Sequence, residues 1–177
     1  YLFSFSYRLF RFLVKHIVFI YQKIFNKNKD LESIVEFGDK NLTWINTNLG
    51  STAFNFAIPE GLETDLFDLK FKSPLVAASF KSDENLLDIW MKLGLGGSTY
   101  KTVMKSERSG NSRPRLQQIR LEREQCLVNA LGLPGAGIDL FTKELLASSL
   151  WAYNRPLGIS IGGENVDEYV SNFNDIE

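Results

Sequence analysis

The residues best suited to chemistry come in short groups of small, polar or cationic side chains. Four such groups are residues 77–79, Lys101 with Thr102, Asn129 with the glycine-rich stretch 132–137, and residues 160–163. A lysine at the end of a strand can hold a fixed cation against a developing anion, and small residues let a planar ligand approach the backbone. Each signal alone is weak, since a glycine-rich turn is also typical of a helix cap and a lone lysine of a solvated surface.

The stretch 101–115, KTVMKSERSGNSRPR, combines five Lys or Arg residues with a single acid. It lacks the apolar periodicity of a buried helix or strand, so we predict a loop. Such a loop either shapes a binding site or is a mobile, solvated segment. A proline in a tight turn makes a loop rigid, and Pro114 is a candidate for a cis peptide bond.

Composition narrows the classes of function. The 177 residues are 44% hydrophobic with a net charge of −1, which is typical of a globular protein and disfavours nucleic acid as a partner of the main body. The single cysteine, Cys126, excludes an intrachain disulfide and indicates a reducing, intracellular compartment. With one histidine, His16, a zinc site or a Ser-His-Asp or Cys-His catalytic group is disfavoured, so we predict no metal.

Residues 1–29 contain six Lys or Arg residues and no acid, set among large apolar side chains. Arg8, Arg11, Lys15 and Lys23 recur at helical spacing on one face. We therefore predict an amphipathic helix that binds an anionic membrane surface through residues 1–25, which places the protein in the cytoplasm, peripheral on the inner face of a membrane. Packing on a protein surface, or a true span or uncleaved signal, are the alternatives, and a span would put Lys15 near mid-bilayer at a high cost.

The elements that must position these groups alternate along the chain. Residues 30–61 show a weak pattern with no confident element and are interpreted as a connector. Strands are predicted at LFDLKF, PLVAAS, GGSTYKTV and RPLGISIGG, and helices after Ser82, over 139–151 and after Asn165. Alternating short apolar strands and helices predict parallel pairing and an α/β fold.

Taken in order, these pieces resemble a known family. The relevant motifs are PLVAAS at 74–79, KT at 101–102, RSGNSRPR at 108–115, VNALGLPGAGID at 128–139 and NRPLGISIGG at 154–163. They are similar to the N-terminal half of dihydroorotate dehydrogenase, over about residues 62–177. The resemblance implies the N-terminal part of a (β/α)8 TIM barrel, about three βα units with the C-terminal half missing, preceded by the helix of residues 1–29 and the connector of residues 30–61.

The resemblance also implies FMN as cofactor and the oxidation of dihydroorotate to orotate in pyrimidine (UMP) biosynthesis. The positions that match flavin contacts are Ala78, Ser79, Lys101, Thr102 and Ser160. Those that match substrate contacts are Lys101, Asn129, Ala130, Leu131, Gly132 and Leu133. The loop positions expected to shape the site are Arg108, Asn111, Pro114 and Arg115.

Departures from the family pattern leave the subclass open. Phe80 stands where the soluble branch usually has glycine, Lys101 with Thr102 resembles that soluble branch, and the basic N-terminus resembles the membrane branch. The electron acceptor therefore stays open among quinone, fumarate and NAD. The catalytic base is expected beyond Glu177, so we expect an inactive fragment. The alternatives are a related flavin-dependent dihydropyrimidine dehydrogenase and a non-catalytic membrane-surface protein with a decayed half-barrel.

Overall fold

The computed structural model describes the backbone of residues 2–177 and the side chains from residue 5 onward. In chain order the elements are α1 (Leu2–Ile24), α2 (Glu32–Ala53), β1 (Thr64–Leu66), β2 (Leu69–Phe71), β3 (Val76–Ala77), α3 (Glu84–Lys92), β4 (Gly97–Val103), β5 (Leu116–Leu121), β6 (Glu124–Asn129), α4 (Ile138–Leu146), a 3-10 turn (Ser149–Tyr153), β7 (Leu157–Ile161) and α5 (Val166–Asn174). They belong to two units, one of residues up to 41 with 110–132, the other of residues 42–109 with 133–177.

The second unit is built on a parallel sheet of three strands in the order β3–β4–β7. β4 is central, and its register shifts against β7 between Tyr100 and Val103. The hydrophobic core lies where α3, α4 and the 3-10 turn cover this sheet, and its buried members are Leu87, Met91, Tyr100, Val103, Ile138, Phe141, Leu145 and Leu150. The predicted mixed α/β class is therefore confirmed, with sheets that are not closed.

The first unit contains α1, the start of α2 and the antiparallel hairpin β5–β6. The Leu31 amide donates to the Leu116 carbonyl at 2.9 Å, which ties the segment before α2 to the hairpin. The Lys15 ammonium donates to the Gln118 amide oxygen at 3.3 Å and ties α1 to the same hairpin. In the described part of the chain, no helix combines the length and apolar character needed to cross a membrane.

The sequence predicted the starts of the helices α3, α4 and α5, and the capping residue of α3 differs from the predicted one by one position. α3 is capped by Asp83, whose side chain accepts from the Leu86 amide, and not by Ser82 as the sequence suggested. Asn165 caps α5 as predicted, by accepting from the Glu168 amide. The helix predicted over 139–151 ends at Leu146, because the chain turns there and Ser148 starts the 3-10 turn by accepting from the Leu150 amide.

Four predicted or missing elements need correction. Residues 30–61 were expected to show no confident element, but they hold the 22-residue helix α2. LFDLKF is the second half of an exposed hairpin and not one half-buried strand. PLVAAS contributes only the two residues of β3, and Val76 is 47% exposed. The hairpin β5–β6 after the basic loop was not predicted. In the LFDLKF segment Phe67 and Asp68 both adopt positive φ, which reverses the chain where an unbroken strand was expected.

Candidate functional site

Lys101 is held at the carboxyl end of β4. Its backbone amide donates to the Lys81 carbonyl at 3.0 Å, which joins the strand to the segment that follows β3. Its ammonium donates to the Pro134 carbonyl at 2.9 Å. The side chain is half-buried, so its charge is presented in a defined place and not on a freely moving stem.

Two hydroxyl groups meet across the neighbouring strands. Thr102 on β4 and Ser160 on β7 lie 2.9 Å apart through their side-chain oxygens. Ala78 and Ser79 directly follow β3, on the other side of β4, and both are exposed. Because carboxyl ends of parallel strands meet at one sheet edge, this edge collects all five residues predicted to contact a flavin.

The basic loop borders the same edge through Arg108. Arg108 and Gly135 exchange two backbone hydrogen bonds, of 2.8 and 2.9 Å, and the Arg108 guanidinium donates to Glu164. Gly137 caps α4 with φ of +84°, and a Cβ atom there would lie 2.9 Å from the Glu107 amide. The glycine is required by both backbone conformation and this close approach, so the loop from Leu133 to Gly137 is fixed against the basic segment.

In the first unit, Asn111 organises the other predicted residues. Its backbone amide donates to the Leu131 carbonyl at 3.0 Å and its side chain donates to the Ala130 carbonyl at 2.8 Å. Gly132 has φ of +75°, and a Cβ atom there would lie 2.7 Å from the Asn111 amide nitrogen. Asn129 ends β6 opposite Leu116 and its side chain is exposed. The structure therefore brings Asn111 and residues 129–132 together.

Arg115 connects that cluster to the start of α2. Its guanidinium donates to both carboxylate oxygens of Glu32, at 2.8 and 2.7 Å, and to the Asn111 carbonyl at 3.0 Å. Arg113 pairs with Glu32 at 3.1 Å and with Glu36, and the peptide bond between Arg113 and Pro114 is cis. The hydrogen bond from Arg115 holds the pKa of Glu32 below its ordinary value, against the opposing effect of burial. Most of the charge of the basic loop is thus paired with acidic side chains.

We expect Glu32→Gln to lower the free energy of unfolding at pH 7 by roughly 1–2 kcal/mol, because it removes a charged, bidentate partner of Arg115. The folded-state pKa of Glu32 is depressed, so its contribution is present above the ordinary value of 4.5 and is lost as pH falls through the folded value. Urea unfolding of the full chain should therefore show the two proteins converging as pH falls below 4.5.

Glu36→Gln is the matched control, since the Glu36 side chain is 50% exposed and its pair with Arg113 is a surface one. Its effect at pH 7 should stay below about 1 kcal/mol. Equal losses for the two variants, or a Glu32→Gln loss that does not change with pH, would contradict the assigned pairing.

Sequence reasoning missed a polar cluster around Asp88 on α3. This carboxylate accepts hydrogen bonds from Asn46, Lys92 and Tyr153, each at 2.6 Å. Burial raises the pKa of Asp88, but these three donors outweigh it and leave the pKa below its usual value. The i, i+4 spacing of Asp88 and Lys92 was a readable signal, whereas Asn46 and Tyr153 arrive only through the fold. A carboxylate this fully satisfied serves structure, by joining α2, α3 and the 3-10 turn.

No group of three or more His, Cys, Asp or Glu side chains that could hold a metal ion occurs among the described residues.

The predicted site residues fall in two groups. Ala78, Ser79, Lys101, Thr102, Arg108, Leu133 and Ser160 belong to the second unit, and Asn111, Pro114, Arg115 and residues 129–132 to the first.

A family model matches the part of the chain that holds both groups of residues. The model for dihydroorotate dehydrogenase matches residues 61–177, which is more than half of the chain and includes every predicted site residue. The chain belongs to the dihydroorotate dehydrogenase family. The predicted family resemblance is therefore confirmed, over the segment expected from the motifs.

Curated relatives of this dihydroorotate dehydrogenase family member include two named as quinone enzymes. The chain is 32% identical over 130 residues to the dihydroorotate dehydrogenase (quinone) of Gloeobacter violaceus, covering 69% of this chain and 35% of that protein. It is 36% identical over 107 residues to that of Parvibaculum lavamentivorans, covering 59% of this chain and 29% of that protein. The chain thus spans about a third of the length of these relatives.

Solved structures of dihydroorotate dehydrogenase (DHODH) from Eimeria tenella share part of the fold. The ligand-free structure superposes with a TM-score of 0.59 at 21% identity, covering 80% of this chain and 42% of that chain. The complex with ferulenol gives a TM-score of 0.62 at 18% identity, covering 80% and 40%. At these identities the likeness concerns the fold, and it shows that the mixed α/β arrangement matches part of a DHODH chain.

Proposed function

We propose that this chain is part of an FMN-dependent dihydroorotate dehydrogenase that oxidises dihydroorotate to orotate in pyrimidine biosynthesis and passes the electrons to a quinone. The observation that carries the proposal is the family match over residues 61–177. The quinone-type names of the relatives from Gloeobacter violaceus and Parvibaculum lavamentivorans favour quinone over fumarate or NAD.

In this proposal residues 62–177 supply the N-terminal part of a (β/α)8 barrel. The parallel order β3–β4–β7 and the likeness to the Eimeria tenella structures support it. Residues 1–29, which contain α1, are the membrane-associating segment, and residues 30–61 connect it to the barrel. Cytoplasmic residence on the inner face of a membrane follows from the same assignment, which rests on the basic and apolar character of α1.

The residues at the carboxyl end of the sheet suit FMN by their chemistry. Exposed small side chains at Ala78 and Ser79 leave the backbone open to a flat ring, and the hydroxyls of Thr102 and Ser160 offer hydrogen-bond donors and acceptors beside it. Lys101 would supply a positive charge able to stabilise negative charge on a bound flavin. When bound, FMN accepts the two electrons that leave dihydroorotate.

The substrate, dihydroorotate, is a carboxylate anion, and the residues assigned to it are Lys101, Asn129, Ala130, Leu131, Gly132 and Leu133. Lys101 offers a charge-assisted hydrogen bond to a carboxylate, and the exposed amide of Asn129 offers both a donor and an acceptor. The loop residues assigned to shape the site are Arg108, Asn111, Pro114 and Arg115. Asn111 donates to the Ala130 carbonyl, Arg115 donates to the Asn111 carbonyl, and Arg108 bridges to Gly135.

The proposal is tested on the enzyme that contains this chain, purified with its flavin. Dihydroorotate should reduce a soluble quinone analogue, with an FMN absorbance change on adding dihydroorotate alone. Reduction of fumarate or NAD in place of quinone would overturn the acceptor. Reduction of the flavin by NADPH and by dihydropyrimidines, but not by dihydroorotate, would identify a dihydropyrimidine dehydrogenase. Absence of flavin from the purified protein would favour a non-catalytic membrane-surface protein.

A further inference from the structure

A tight turn folds the segment after α1 back onto the helix. The Gln22 side chain, only 4% exposed, donates to the Asp30 carbonyl at 2.9 Å and accepts from the Asp30 amide at 3.1 Å. The Lys27 amide donates to the Gln22 carbonyl at 2.7 Å, and Asn26 adopts φ of +51° to reverse the chain. One buried glutamine thus bonds both backbone polar groups of Asp30 and closes the turn of residues 23–30.

The turn brings lysines of the returning segment toward lysines of the helix. Lys15 and Lys23 from α1 and Lys27 and Lys29 from the turn line a cavity of about 530 Å³. None of the residues that line this cavity, all in the described part of the chain, is acidic. The Lys15 ammonium donates to the Gln118 amide oxygen and the Lys29 ammonium lies over the Phe19 ring, so part of the lining is held in place. Four lysines and no acid around one open space make that space electropositive. The arrangement therefore favours a ligand with concentrated negative charge.

An exposed apolar stripe adjoins the lysine cavity. Ile17, Ile20 and Ile24 are spaced by three and four residues, which places them on one face of α1, and they are 65%, 58% and 72% exposed. Ile20 also lines the cavity. A soluble phosphate compound would use the lysines and leave this stripe in water. An anionic lipid uses both, because its acyl chains cover apolar surface while its headgroup meets the cations.

We propose that the lysine cavity is a binding site for the phosphate headgroup of an anionic phospholipid, with the isoleucine stripe set into the acyl boundary. This proposal rests on the membrane association proposed above and adds a headgroup site to it. A phosphomonoester carries more charge than a phosphodiester and exposes three oxygens. The site should therefore prefer phosphatidic acid over phosphatidylserine at equal surface potential, whereas a basic helix held only by surface charge distinguishes them little.

Co-sedimentation of the full chain tests this with phosphatidylcholine vesicles that contain phosphatidic acid or phosphatidylserine at matched surface potential. The double variant Lys27→Gln/Lys29→Gln should lose roughly tenfold or more in affinity and should lose the preference for phosphatidic acid. The charge-matched control Arg8→Gln/Arg11→Gln lies on α1 outside the cavity. It should weaken binding to both lipids alike and keep the preference.

Gln22→Leu is the variant that separates a built site from charge alone, since it opens the turn and changes no charge. Loss of the preference with helix content retained by circular dichroism would support the site. An unchanged preference in Gln22→Leu, or equal binding of the two lipids by the unaltered chain, would overturn it. Displacement from vesicles by millimolar inorganic phosphate would instead indicate a site for a soluble anion and would overturn the lipid assignment. Dihydroorotate oxidation with a soluble acceptor is measured in parallel, so failure of the lipid site is distinguishable from failure of the proposed reaction.

Discussion

Lys101→Ala is expected to lower dihydroorotate turnover by roughly 10²-fold or more in the proposed enzyme of which this chain is part, as for other removed electrostatic donors. Oxidation of dihydroorotate leaves charge to be stabilised on the flavin and on the carboxylate-bearing ring. Lys101 is suited to this, because its ammonium is held by the Pro134 carbonyl at 2.9 Å and its backbone by the Lys81 carbonyl at 3.0 Å. A cation already in place needs little reorganisation during the reaction. Steady-state kinetics and flavin content measure the effect, and flavin binding should weaken as well.

Two further variants serve as comparisons for Lys101→Ala. Asn129→Ala should raise KM more than it lowers turnover, since loss of an amide leaves a polar group of the ligand unsatisfied. Lys105→Ala should be nearly silent, because Lys105 is exposed and pairs with Asp175 at the surface. Equal effects of the Lys101 and Lys105 variants, or none from Lys101, would mean that the site is misplaced.

Leu87→Ala should lower the free energy of unfolding by about 2–5 kcal/mol, the range found when buried leucines are truncated. Leu87 lies on α3, is fully buried, and packs in the core cluster with Met91, Tyr100 and Leu150. The close packing of a core limits how far the neighbours can fill the space that the three removed carbon atoms leave. Urea unfolding followed by tryptophan fluorescence measures the change.

Leu146→Ala provides the same substitution at an exposed site, since Leu146 is 77% exposed at the end of α4. Its effect should stay within about 0.5 kcal/mol, as for most surface substitutions. Similar losses at the two positions would show that α3 does not cover the parallel sheet as described.

The sequence alone predicted those helices and strands whose own residues carry a helix or strand signal. GGSTYKTV combines a glycine pair with β-branched and aromatic residues, RPLGISIGG is a short apolar run bounded by proline and glycine, and they form β4 and β7. Asn165 caps α5 because its side chain reaches an amide three residues ahead, which is a purely local contact. The family motifs were readable for a related reason, since they are fixed spacings of particular residue types in one stretch of chain.

The helix α2 was not readable in this way. Its sequence holds Asn, Thr and Gly residues that favour helices weakly. It is stabilised instead by distant partners, namely Arg115 for Glu32 near its start and Asp88 for Asn46 in its second half. Both partners lie more than 40 residues away along the chain. Helix propensity depends on neighbouring residues, so it does not reveal them.

By itself the sequence determined the family, the mixed α/β class, the central strands and the residue types offered to a ligand, because spacing and periodicity are properties of neighbouring residues. Tertiary structure alone decided which of those groups meet. Thr102 contacts Ser160 across 58 residues, and Lys101 reaches the Pro134 carbonyl across 33. The Gln22 turn that gathers four lysines was equally hidden, since a single polar side chain becomes buried only when the chain folds back over it.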